Sequence, residues 1–155
     1  MTGTCVVGPS TGKQLAWIPS QVTTWREWKK AHPKTSVLAP QGDMQRYRAT
    51  QASYIQYRKR GTPFPAFLGE KVRYPATYKA MDLCTIVGRG KHARCYPHPA
   101  LEQGKTRDGD FTIEMKGADV TVRDKEGKLV PSLQGFWFAF FAFYPDGSVW
   151  KPPEE

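Results

Sequence analysis

Apolar and polar positions alternate most clearly between Leu83 and Tyr96. Taking Arg89-Gly90 as a two-residue turn puts glycine where positive φ is needed and sets Val87 opposite His92, Ile86 opposite Ala93 and Cys84 opposite Cys95. This register gathers Cys84, Ile86, Ala93 and Cys95 on one consistently apolar face, so it supports itself and brings two cysteines side by side. Phe111, Ile113 and Met115 alternate with polar residues, as do Val120 and Val122, which predicts a second hairpin over 111–115 and 119–123. Asp124-Lys125-Glu126-Gly127 follows as a turn. Residues 4–18 read as strand, turn and strand: Cys5-Val6-Val7, then Gly8 to Gly12, then Gln14 to Ile18, with Pro19-Ser20 as a break.

The helical signals are fewer. Thr24-Trp25-Arg26-Glu27 has capping-box spacing, a hydroxyl followed three residues later by a carboxylate, each able to meet a free backbone N–H. Pro33 disfavours helical geometry at His32 and stops that helix early. Ser36-Val37-Leu38 then reads as a strand, residues 39–63 as a long polar loop, and Phe64 to Tyr78 as extended and proline-punctuated. A short helical turn is expected around Pro99 to Gln103. The apolar run Phe136 to Tyr144 is ambiguous between helix and strand when taken alone. A comparison within the chain resolves it. Trp25 and Trp137, Trp28 and Phe140, His32 and Tyr144, Pro33 and Pro145, and Val37 and Val149 all stand 112 residues apart. Both stretches are therefore expected to form a short helix, a proline stop, a turn and a strand, as a duplicated half-unit would.

Composition narrows the class. The chain has 155 residues, 39% hydrophobic and 13% aromatic, with 14 Gly and 13 Pro, which suits one globular domain with many turns. The expected fold is α+β: a single β-rich domain of mostly antiparallel strands with two or three short helices. It divides into half-units at about 1–62 and 111–155, flanking a central hairpin region at 64–104. The longest apolar run has nine residues, against about 20 for a membrane-spanning helix. Met1-Thr2-Gly3-Thr4-Cys5 carries no signal-peptide pattern, as expected of a cytosolic, mature or truncated chain.

Charge is unevenly placed. The net +9 resolves into +8 over residues 1–60, +5 over 61–107 and −4 over 108–155. Such asymmetry fits a polyanion, an acidic partner or a solvated basic surface. Arg46, Arg48, Tyr54, Tyr57, Arg58, Lys59 and Arg60 supply cations for phosphates and rings for stacked bases, a candidate polyanion or nucleic-acid site with no known fold motif around it. Cys84, His92, Cys95 and His98 lie within fifteen residues and are candidate copper or zinc ligands. Their spacing matches no zinc ribbon, and a buried thiol pair or cross-strand disulfide competes with that reading. Gly8-Pro9-Ser10-Thr11-Gly12-Lys13-Gln14 fails as a phosphate loop, because only three residues separate its glycines and Gln14 replaces the metal-holding hydroxyl. No nucleophile elbow, zincin helix or obvious acid pair is present, so a catalytic set is not expected. Trp137, Phe140, Phe141 and Tyr144 are either core or, lacking a partner, an adhesive patch.

Four blocks in order resemble one uncharacterised prokaryotic family. They are Thr2-Gly3 with Val6, Gly8-Pro9 and Gly12; Trp25, Trp28, His32-Pro33, Thr35 and Val37-Leu38; Gly88 through Ala93-Arg94, Tyr96-Pro97 and Leu101; and Phe136 to Gly147. The chain is similar to the domain-of-unknown-function family DUF3179, often labelled "(seleno)protein", with its closing block at Phe136. The resemblance implies a β-rich extracytoplasmic (periplasmic) domain. It also implies thiol redox or metal chemistry at an upstream Cys-x-x-Cys-like segment, after which this chain is expected to begin. The expected function is a non-catalytic module or accessory subunit working through protein contacts in a larger complex. Thiol or metal chemistry and polyanion binding are the alternatives.

Overall fold

The computed structural model describes residues 3–18, 20, 22–39, 41–63, 72–102 and 104–153. At its centre Leu83–Val87 (β1) and Arg94–Pro97 (β2) pair antiparallel, with Cys84 opposite Pro97, Ile86 opposite Cys95 and Val87 opposite Arg94. Each partner lies two positions later than an Arg89-Gly90 turn would place it. The connection instead holds a 3-10 turn over Gly90–His92. A slip of two preserves the alternation of faces, so Cys84, Ile86, Ala93 and Cys95 still share one side and all are fully buried. Gly88 makes the longer turn possible: its φ is +78°, and a Cβ there would lie 2.4 Å from the carbonyl oxygen of His92.

The hairpin is flanked by strands from far along the chain. Ser132–Phe136 (β6) pairs antiparallel with β1, and Ser148–Val149 (β7) pairs parallel with β2, giving the order β6-β1-β2-β7. Between them Trp137–Phe143 (α3) crosses the sheet and drops Trp137, Phe140 and Tyr144 onto the hairpin's apolar face. The run 136–144 is thus a helix with an extended first residue, as the comparison at 112 residues requires. The Trp137 indole N–H donates to the carbonyl of Pro75 at 2.8 Å, and Tyr78 meets the same ring edge-on.

A second sheet covers the opposite face. Gly104–Asp108 (β3), Phe111–Lys116 (β4) and Asp119–Arg123 (β5) form an antiparallel meander. Ile113, Val120 and Val122 join Val87, Tyr96, Leu101 and Trp150 in a second buried cluster. The β4–β5 hairpin and the turn at 124–127 match the sequence pattern. β3 does not, because Gly-Lys-Thr-Arg-Asp has no apolar alternation and is held as an edge strand by backbone pairing to β4. The fold is α+β, two mostly antiparallel sheets under a short helix.

Residues 3–63 depart further from expectation. The strands read in 4–18 reduce to one bridge between Thr4 and Gln14, with Cys5 N–H donating to the Lys13 carbonyl at 2.9 Å. Trp25–Ala31 (α1) has the expected capping box and ends at His32 before Pro33. Ser36 to Leu38 form no strand. The polar loop expected over 39–63 is instead a helix, Met44–Arg60 (α2), whose first turn is capped by Asp43 through Gln45 N–H at 2.8 Å. It stops at Gly61, which takes the left-handed conformation at φ +66°. Of the extended stretch expected from Phe64 to Tyr78, residues 64–71 lie outside the described residues, as does Gln103 of the later turn. That turn is otherwise present as a 3-10 turn over His98–Ala100.

Candidate interaction surfaces

The four candidate metal ligands do not converge. Cys84 and Cys95 point toward α3, whereas Thr85 and His98 lie on the other side of the sheet and meet at 2.9 Å. His92 is exposed in the 3-10 turn. Among the described residues, no group of three or more His, Cys, Asp or Glu is placed to hold a metal ion. All three cysteines are free, and the Cys84 thiol faces the Gly135 carbonyl at 3.5 Å. A hydrogen bond with Cys84, together with burial, pushes the Cys95 thiol far above the ordinary range. The Cys95 proton is thus strongly held in an apolar layer, which disfavours nucleophilic attack and metal ligation by that sulfur. Burial likewise lowers the pKa of His98, so the imidazole shared with Thr85 is neutral in the fold.

The aromatic run serves the chain's own core. Trp137, Phe140 and Tyr144 are at most 2% exposed, and only the half-buried Phe141 of the four candidate partner residues reaches the surface. As a free docking patch this set is therefore corrected: its rings already have their partner, the β1–β2 hairpin.

The candidate polyanion residues sit on α2, and their placement follows from helical rather than loop geometry. At 3.6 residues per turn Met44, Tyr47, Tyr54 and Ile55 form one exposed stripe, with Arg58 within it and Arg48 at its border. Arg46, Tyr57 and Arg60 fall on the opposite side, with Lys59 between. The helix carries five cations and no carboxylate within Met44–Arg60, and none of its residues is buried. The cations therefore surround the helix, and of them Arg46 shares a surface hollow with Tyr47 and Tyr54.

Sequence reasoning missed the most exposed apolar surface. Among the described residues, all of the large hydrophobic side chains that stand open to solvent, except Leu129 and Phe143, lie between Val6 and Ile55. On α1 and beyond it, Trp25 is 51% exposed, Val37 66% and Leu38 87%. A cleft of about 470 Å³ separates Trp28 and His32 from Thr121, Val122, Leu129 and Val130. Around α1, Thr23 and Thr24 donate to Glu27 and the Trp28 indole donates to Thr35 at 3.1 Å, all local bonds. The N-terminal loop, in contrast, is clamped to the sandwich. Arg89 donates to the side chain of Gln14 at 2.9 Å and to the carbonyl of Leu15, and stacks on Trp17 at 4.5 Å.

A family model, protein of unknown function (DUF3179), matches residues 1–112. The chain belongs to DUF3179. The match contains three of the four blocks quoted above, and the closing block Phe136 to Gly147 lies beyond it. No curated protein and no solved structure matches the chain. Within the DUF3179 stretch the blocks have structural roles that can now be stated. Gly88 permits the β1–β2 turn, Ala93 and Tyr96 fill opposite faces of the sheet, and Trp25, Trp28 and His32 form the helix that leaves its rings uncovered.

Proposed function

We propose that the chain is a non-catalytic module that works through protein–protein contacts in a larger assembly. One observation carries this reading: the sandwich of residues 83–150 buries its apolar faces with help from Trp17, Tyr74 and Tyr78, while residues 6–55 hold nearly all the open large apolar side chains among the described residues. Exposed patches of that kind in a folded chain mark interaction sites. The chemistry-bearing groups support it in the same direction, since the Cys84 and Cys95 thiols are buried and the neutral His98 is engaged with Thr85. The purified chain is expected to bind a hydrophobic dye and to migrate with a partner in extracts of its source. A dye-silent chain that elutes alone from those extracts overturns the reading.

A second reading rests on α2. Five cations without a carboxylate, interleaved with Tyr47, Tyr54 and Tyr57, support binding of a polyanion along an exposed helix. Affinity for single-stranded nucleic acid or heparin should fall steeply with salt. Changing Arg58, Lys59 and Arg60 to Gln should weaken it without unfolding the sandwich, and a flat salt response rejects it.

A further inference from the structure

Residues 22–38 repeat the local structure of residues 134–150. The two stretches share Trp25 with Trp137, Pro33 with Pro145, Ser36 with Ser148 and Val37 with Val149, all at a spacing of 112. Their helices, α1 and α3, have the same length and stop the same way. His32 N–H donates to the Trp28 carbonyl and Tyr144 N–H to the Phe140 carbonyl, both at 2.8 Å. The stop residues adopt φ −129°, ψ 69° at His32 and φ −137°, ψ 63° at Tyr144. Three residues further on, Thr35 N–H reaches the His32 carbonyl and Gly147 N–H the Tyr144 carbonyl, both at 3.0 Å. The same small position packs beneath the helix ring in each copy. Thr35 holds the Trp28 indole, and a Cβ on Gly147 would lie 2.6 Å from Phe140.

The copies differ in what covers them. In the second, β6 and β7 flank the β1–β2 hairpin and α3 closes over it, burying Trp137, Phe140, Tyr144 and Trp150. In the first, the matching Trp25, His32 and Leu38 are exposed and Trp28, 37% exposed, faces the cleft beside Val122 and Leu129; among the described residues no strand stands beside Ser36-Val37. We propose that residues 22–38 are a docking element for a β-hairpin on a partner polypeptide, built like β1–β2, with small apolar side chains on the face that meets α1. The inference rests on the protein-contact reading above and names the partner's chemistry. Residues 22–24 would add antiparallel to one edge of that hairpin and 36–38 parallel to the other, as β6 and β7 do here. A second copy of this chain is a poor occupant, because its own hairpin is already closed by α3 and β7. Lys29, Lys30 and Lys34, standing where the second copy has Phe141, Ala142 and Asp146, favour carboxylates around the partner's rim.

The probe is the chain's own hairpin, residues 81–98, supplied twice: fused through a flexible linker ahead of the full chain, and as a synthetic peptide added to the full chain. Amide exchange at 22–24 and 36–38 is expected to slow by about tenfold or more in at least one format. Trp25→Ala with Trp28→Ala should abolish the effect while leaving exchange in β1 and β2 unchanged. Unchanged exchange at 22–38 in both formats overturns the inference. So does a natural partner that protects α2 and leaves 22–38 open, although the contact-module reading then stands. A chain that binds neither dye nor partner removes that reading instead, whatever the hairpin does.

Discussion

Arg94 of β2 forks onto Asp108 of β3, so one ion pair fastens the four-stranded sheet to the end of the three-stranded one. The second guanidinium nitrogen donates to Oδ1 at 2.7 Å, and the Tyr96 hydroxyl donates to Oδ2 at 2.8 Å. Burial works against the carboxylate's charge, and the hydrogen bonds from Arg94 and Tyr96 outweigh it, holding Asp108 below its ordinary pKa. On the other side, burial and the bond to Asp108 raise the Tyr96 phenol far above its ordinary value.

A carboxylate with a lowered folded pKa stabilises the fold above its unfolded value, about 3.9, and loses that contribution as pH falls through the folded value. Stability measured by urea should therefore decline below about pH 4. Asp108→Asn should flatten this decline and cost about 1–2 kcal/mol at neutral pH, toward the low end because Arg94 is 35% exposed and solvent-screened. An unchanged acid profile in the variant would show that the clamp adds nothing.

His98 gives a separate window. Burial lowers its pKa, so the unfolded chain takes up a proton near pH 6.5 while the folded chain resists it. Stability should fall as pH drops below about 6.5, and His98→Gln should remove that slope while sparing the steeper loss near pH 4. A proton NMR titration that places the His98 ring at or above 6.5 would contradict its burial with Thr85.

Thiol labelling distinguishes the cysteines. Cys5 is half-buried and should react with an aromatic disulfide reagent in the native chain. Cys84 and Cys95 should react only as fast as the sheet opens, because both lie beneath α3 and the Cys95 proton is strongly held. Equal rates for all three would place the pair outside the core.

Gly88 tests the β1–β2 connection. An alanine there combines positive φ with a clash against the His92 carbonyl that no side-chain rotation relieves. Gly88→Ala is expected to cost about 1–3 kcal/mol, whereas Gly109→Ala, at φ +56° with open space around it, should cost about 1 kcal/mol or less. Equal costs would mean that the turn relaxes freely.

The particular residues show what could be read from the chain alone. Alternation identified the face of the hairpin but not its partners, because a slip of two residues leaves every side chain on the same side. The capping box at Thr24 and Glu27 needs only local spacing, so α1 was legible. α2 lacked an apolar stripe strong enough to stand out, yet Asp43 and Gly61 bracket it as caps and were the available signal. β3 had none, since backbone pairing to β4 makes it a strand. The candidate metal cluster came apart because its members were grouped by sequence proximity. Cys95 and His98 are three residues apart and lie on opposite faces of a sheet.

The order in which β6-β1-β2-β7 is written along the chain has a consequence for synthesis. The hairpin emerges from the ribosome with its thiol-lined face bare, and both of its flanking strands follow later along the chain, on either side of α3. A nascent or prematurely ended chain therefore displays an unfinished sheet until Val149 has been added, and such distant pairings form slowly.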